Sequence, residues 1–189
     1  MSILQFRSPI EFAKRLQDEV PLRRCELLEC RAACCDLGVW LDLREMEDLL
    51  AHAAQLSPFM ERERRDPECW FGATSEEDPD LPSGRVVPTA VTPKAGRLAG
   101  SECVFLRQDY RCALQLAGQA LGEPDWRFKP FYCLAHPLMF ESPGRLTLAP
   151  TDQLLAEPAS CLRGTARAVS IETLLADELA AIRQLGRPS

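Results

Sequence analysis

Cysteine is the residue whose number and spacing in this chain could do chemistry. Nine occur in 189 residues, and four of them fall within eleven positions as Cys25-x4-Cys30-x3-Cys34-Cys35. A second group follows as Cys103-x8-Cys112, then Cys133 and Cys161. Thiolates are the soft donors that hold zinc and iron–sulfur clusters, and they are also redox nucleophiles. Two sequence-distant groups of this kind are expected to meet at one site. If the segment around Cys30 is helical, Cys30 and Cys34 lie one turn apart and share a face. Cys35 then points about 100° away from Cys34. The adjacent pair suits a multi-metal cluster or two neighbouring sites better than one tetrahedral zinc. The paired C-x2-C knuckles of a zinc ribbon are absent, as is the C-x2-C-x2-C run of a ferredoxin. Cys69 stands alone and reads as a small buried hydrophobe.

Other chemistry-bearing residues are sparse. His136 follows Cys133 by three positions and is a candidate nitrogen ligand, whereas His52 sits on a helix face. A cysteine nucleophile with either histidine as base is a further alternative, although no sequence pairing supports it. Trp40, Trp70, Trp126, Phe128, Phe131 and Tyr132 read as core or pocket walls. No P-loop, Gly-x-Gly-x-x-Gly fingerprint or Ser-His-Asp set can be read.

The elements that must position these residues are legible in part. Ser8-Pro9-Ile10-Glu11 has the pattern of a capping box and predicts a helix over about 9–20. Asp42-Leu43-Arg44-Glu45 opens a second capped helix to about Gln55, with Leu43, Met46, Leu49, Leu50 and Ala53 on its apolar face. Ser57-Pro58 reads as another helix start. Residues 66–101 have the texture of a loop-rich insertion, with Arg85–Thr92 the one strand expected inside it. Arg107–Tyr110 is expected to make a hairpin-like turn that brings Cys103 and Cys112 together. A helix over about 113–121 stopped by Gly122, a strand over Arg145–Ala149 and a final helix from Ser170 to about Leu185, stopped by Gly186, complete the reading.

The length suits a single domain, 1–189, able to bury a core of its own. Hydrophobic residues make up 46% and charged residues 26%, a globular mixture. A net charge of −6 argues against nucleic-acid and anionic-membrane surfaces, and no stretch approaches the roughly 20 apolar residues of a membrane span. MSILQFRSPIEFAKRL holds no apolar run long enough for a leader, so the expected compartment is the reducing cytoplasm, where clustered thiols serve metals or redox chemistry.

The stretches CRAACCDLGVWLDLREMEDLL, CVFLRQDYRCALQ and KPFYCLAHPL resemble the YkgJ-type cysteine-cluster family, described as zinc- or iron-chelating domains. The resemblance covers about residues 25–55 and 101–140, with longer spacers between the first cysteines than the family's. It implies Cys30, Cys34, Cys35, Cys103, Cys112 and Cys133 as metal ligands, with Cys25 and Cys161 as additional candidates. The expectation is thus a mainly helical α+β domain, small, irregular and cysteine-rich, with a short hairpin and long loops. It would hold a [4Fe-4S] cluster or zinc, with a protein partner in the structural version of that role. The alternatives are an iron–sulfur enzyme resembling flagellin lysine N-methylase, or a thiol redox protein.

Overall fold

The computed structural model of the chain describes residues 3–6 and 8–185. The chain divides into two compact units, one of Met1–Leu4 with Cys35–Cys133, the other of Gln5–Cys34 with Leu134–Ser189. The described residues include ten strands in four small sheets, and their longest helix, Ala176–Leu185, has ten residues. The expectation of a mainly helical domain is therefore overturned. Strand pairing between segments far apart in sequence supplies much of the regular structure, and such pairing leaves little trace in local periodicity.

In the 5–34/134–189 unit, Glu11–Phe12 pairs in parallel with Arg145–Leu148, which pairs antiparallel with Leu138–Ser142. A second ladder joins Glu19–Arg24 to Leu162–Ser170, with a register shift between Gly164 and Val169. The helix expected over 9–20 is thus replaced by two strands and the short 3-10 turn Lys14–Gln17. Pro21, directly after the expected helix, lies in the strand Glu19–Arg24 at the place where the ladder's register shifts, between the pairs Val20–Val169 and Leu22–Gly164. Ser170 does cap the final helical segment, its hydroxyl accepting from the Thr173 amide at 3.2 Å. That segment breaks at Leu175 into Ile171–Leu174 and Ala176–Leu185, and the expected Gly186 stop lies outside the described residues. Leu16, Leu22, Leu146, Leu162, Ile171 and Ile182 form the fully buried centre.

In the 35–133 unit, Trp40–Asp42, Arg85–Pro88 and Glu76–Glu77 make a three-stranded antiparallel sheet, with Arg85–Pro88 in the middle. Val91–Pro93 pairs with Ser101–Cys103. The segment read as a loop-rich insertion therefore carries three strands and the fully buried Trp70, whose ring meets Phe105 edge-on at 5.4 Å. Asp42 caps the helix Leu43–Ala51 as its sequence predicts, accepting from the Arg44 amide at 2.8 Å, while Glu45 accepts from the Asp42 amide at 3.0 Å. The helix stops at His52 and resumes as Ala53–Leu56. Ser57–Phe59 is a single 3-10 turn, and Ala113–Ala120 matches its expected helix. Arg145–Leu148 likewise matches the expected strand in the other unit.

Candidate metal centre

The ladder between Glu19–Arg24 and Leu162–Ser170 sets one edge of the site. Leu162 pairs with Arg24, and one residue further out the Cys25 amide donates to the Cys161 carbonyl at 2.9 Å. Two cysteines 136 positions apart are thereby placed side by side by backbone pairing. His136 Nε2 lies 2.8 Å from the Ala159 carbonyl and holds the turn Pro158–Ser160 that leads into Cys161.

After Cys25 the chain makes the one-turn helix Leu27–Cys30. A two-pronged pair, with Arg23 donating to both Glu29 oxygens at 3.1 and 3.0 Å, ties that turn to the preceding strand. The turn aims Cys30 back at Cys25, and their Sγ atoms lie 3.3 Å apart. Arg31 and Ala32 then take φ of 48° and 55°, reversing the chain into the 3-10 turn Ala33–Cys35. Cys30 and Cys34 are therefore not neighbours on one helical face; a left-handed reversal separates them. Cys34 is the fourth thiol: it and Cys25 both act on the ionisation of Cys161, which places the four in one neighbourhood.

Backbone strain marks this place. Four non-glycine residues with positive φ occur among the described residues, and Arg31, Ala32 and Cys161 are three of them. Such conformations cost free energy and persist where surrounding structure or function demands them. Electrostatics points the same way. Burial and the neighbouring Cys30 push the Cys25 thiol up to about 11. Cys161 is raised further, by its hydrogen bond with Cys34 and then by burial. Crowded thiols oppose one another's ionisation, and a cation reverses that balance.

The remaining sequence candidates belong to the 35–133 unit. Cys103 and Cys112 come together as the hairpin-like turn predicts: Leu106 bridges Cys112, the Arg107 amide donates to the Arg111 carbonyl at 3.0 Å, and Cys112 acts on the charge of Cys103. Cys103 is buried, and its sulfur donates to Thr89 Oγ1 at 3.6 Å. Burial pushes that thiol up to about 11, the behaviour of a core residue. Cys35 opens this unit beside Asp36, whose buried carboxylate pairs with Arg97 and whose carbonyl accepts from Ser101 at 2.7 Å. Cys133 lies in the helix Phe131–Ala135. Cys69 is exposed, correcting its reading as a buried hydrophobe.

No disulfide joins any of the nine cysteines, and among the described residues no group of three or more His, Cys, Asp or Glu side chains is arranged so that it could hold a metal ion. Four thiols are the donor type that zinc takes, and the sulfur–sulfur distance from Cys25 to Cys30 can be compared with its tetrahedral geometry. Zinc–sulfur bonds of about 2.3 Å put tetrahedral sulfurs roughly 3.8 Å apart. Cys25 and Cys30, at 3.3 Å, need to separate by only a fraction of an ångström. A polynuclear cluster holds its thiolates on separate irons, and so farther apart.

The 35–133 unit also carries a feature without a sequence signal, an open cleft of about 420 Å³ lined in part by Trp40, Val86, Glu76, Asp78 and Tyr132. Trp40, Val86 and Glu76 reach it from one face of the three-stranded sheet, and Tyr132 donates to Asp78 at 2.7 Å. Trp70, Phe128 and Phe131 are buried core residues, as expected.

No protein-family model, curated protein or solved structure matches the chain. The likeness to the YkgJ-type family rests on the motif stretches alone. No described helix is long and apolar enough to cross a membrane.

Proposed function

We propose that this is a metal-binding protein in which Cys25, Cys30, Cys34 and Cys161 hold one zinc ion as a closed, structural site. The carrying observation is the gathering of these four thiols within one unit by a strand ladder, a helical turn and a left-handed reversal. Zinc supplies no redox chemistry; it neutralises thiolates and fixes the reversal at 30–34 against the strand end at 161. A site closed by four sulfurs leaves no position for substrate, so the role is to complete the fold. This reading departs from the ligand set implied by the family resemblance, since it promotes Cys25 and Cys161 and omits Cys35, Cys103, Cys112 and Cys133.

Metal analysis and an absorption spectrum of the full chain purified without oxygen test it. The expected result is colourless protein with one zinc per chain, most of it lost in Cys25→Ser and in Cys161→Ser and kept in Cys112→Ser. Iron with sulfide and visible absorption would replace zinc by a cluster. Loss in Cys112→Ser with retention in Cys161→Ser would restore the resemblance's ligand set, and absence of any metal would end the metal reading.

A further inference from the structure

We propose that Cys25 and Cys30 are a redox modification site: a peroxide joins them in a reversible disulfide, and that bond releases the metal. The inference rests on the zinc reading for its consequence, release, and on the thiol geometry alone for the bond itself.

The two sulfurs are already in contact at 3.3 Å. Closing to a disulfide of about 2.05 Å requires roughly 1.3 Å of approach. The two halves of the pair differ in their freedom to move. Cys25 is fixed at the end of a strand, with its amide bound to the Cys161 carbonyl at 2.9 Å. Cys30 ends a helix of a single turn, none of whose four residues is buried, and Leu28 on that turn is 85% exposed. One helical turn has little stability of its own, so its sulfur can shift without disturbing a core. Both thiols are half-exposed, which admits a small oxidant. The approaches of Cys34 and Cys25 to Cys161 offer less freedom, because Cys161 follows the buried Ser160 and precedes the buried Leu162.

The chemistry balances with a peroxide as oxidant. The Cys30 sulfur attacks one peroxide oxygen and breaks the O–O bond, giving a sulfenic acid and, with one proton, one water. The Cys25 sulfur then displaces the sulfenic hydroxyl, which leaves with a second proton as water as the S–S bond forms; the two protons are those of the thiols in the metal-free chain and come from solvent when the sulfurs are zinc-bound thiolates. Two sulfurs have lost one electron each, and the peroxide has gained two. Two of the four zinc donors are consumed, so the remaining pair no longer holds the ion. A dithiol reductant reverses the bond by exchange, as expected for an exposed disulfide closing a short loop.

The sequence makes the test direct, because Arg24 and Arg31 flank the segment and trypsin releases Cys25–Arg31 as one peptide containing both cysteines. The full chain, metal-free and zinc-loaded, is treated with hydrogen peroxide under native conditions, alkylated and digested, while a chromogenic chelator reads free zinc. The expected product is this peptide lighter by two hydrogens and closed to alkylation, restored by dithiothreitol, with zinc freed in proportion. Alkylation of both cysteines after oxidation, oxidation past the disulfide to sulfinic acid, or pairing of Cys25 with Cys34 or Cys161 would overturn the site. Zinc retained by chains carrying the oxidised peptide would overturn the release. A protein that forms the bond and binds no zinc in any state keeps the modification site and loses the zinc reading. A protein that binds zinc and forms no such bond does the reverse.

Discussion

The two units of this chain solve the same problem, holding irregular backbone in place, with different chemistry. In the 35–133 unit the fixing groups are carboxylates. Asp36 pairs with Arg97, Glu102 with Arg64, and Asp48 takes both Arg127 nitrogens at 2.6 and 3.0 Å. Glu45 accepts from the Phe131 amide at 2.7 Å as well as from its own cap. These four carboxylates are paired where they are buried or partly buried. In the 5–34/134–189 unit one carboxylate, Glu29 on Arg23, ties the first turn, but the reversal at 25–34 also gathers sulfurs, with three strained backbone positions at Arg31, Ala32 and Cys161. Satisfied carboxylates need nothing further, whereas on the proposed reading the crowded thiols are completed by a cation. Cysteine itself plays two parts: Cys103 is a core residue with a hydroxyl neighbour, and Cys25 and Cys161 belong to a cluster.

The largest expected effect separates the units by removing the metal. Binding energies of structural zinc run about 10–16 kcal/mol in small peptides, as large as a whole domain's stability. Chelation under reducing conditions should therefore abolish hydrogen-exchange protection around 25–34 and 158–164. All three tryptophans, Trp40, Trp70 and Trp126, lie in the 35–133 unit, so their fluorescence reports that unit alone. It is expected to keep its unfolding midpoint. Loss of the tryptophan transition together with the protection would break the comparison, and full protection in verified metal-free protein would remove the structural role of the metal.

A smaller effect tests the carboxylate-held unit from its core. Trp70 is fully buried, packs against Phe105 and donates its indole hydrogen to the Arg64 carbonyl at 2.8 Å. Trp70→Ala leaves a cavity and an unmet acceptor, costing about 3–5 kcal/mol. Denaturant unfolding followed by the remaining tryptophans should show the shift, with zinc content unchanged.

Glu45 sharpens the contrast through pH. Burial pushes its carboxyl from an ordinary 4.5 up to about 8, against two backbone donors that favour the charged form. Between those values the folded state holds a proton that the unfolded chain has lost, so stability falls as pH rises through that window and levels off above about 8. The slope is at most roughly 1.4 kcal/mol per pH unit. Tryptophan-detected unfolding at a series of pH values should show this decline, and Glu45→Gln should flatten it while losing about 1 kcal/mol for one weakened backbone hydrogen bond. An unchanged slope in Glu45→Gln would assign the pH dependence to another group.

What the sequence allowed to be read follows how local each signal is. Asp42 and Glu45 form a cap from four consecutive residues, Ser170 caps Ile171–Leu174, and the Cys103–Cys112 turn closes over four residues, so each was legible. The ladder that sets Cys161 beside Cys25 joins segments more than 130 residues apart, and Leu162–Ser170 reads LRGTARAVS with no clean alternation. No local pattern marks it, so Cys161 is among the weaker candidates in the sequence, and the helix expected over about 9–20 runs into the first residues of the strand Glu19–Arg24. The segment 66–101 has the texture of a loop because its strands are two to four residues long, too short for a period to register.

The smallest effect is expected at Cys69, and its smallness carries information. Cys69 ends the 3-10 turn Pro67–Cys69, a turn capped by the Asp66 carboxylate accepting from the Glu68 amide at 3.1 Å. The cap does not involve the sulfur, and the Cys69 amide donates to the Asp66 carbonyl whatever the side chain. An exposed thiol exchanged for a hydroxyl of similar size loses little apolar burial, so Cys69→Ser should fall within about 0.5 kcal/mol of the parent. Zinc content should also stay the same, because the quartet belongs to the other unit. Cys103→Ser is the matched control: it puts a stronger hydrogen-bonding group in a buried place where Thr89 Oγ1 already accepts from the Val39 amide at 2.9 Å. That variant should cost about 1–3 kcal/mol if the new hydroxyl is left without a good partner, and it too should leave zinc in place. Unfolding midpoints and metal content of the two variants side by side decide it. Zinc loss in Cys103→Ser, with the protein still folded by its tryptophan signal, would move this cysteine from the core of one unit into the metal site and undo the division on which the comparison stands.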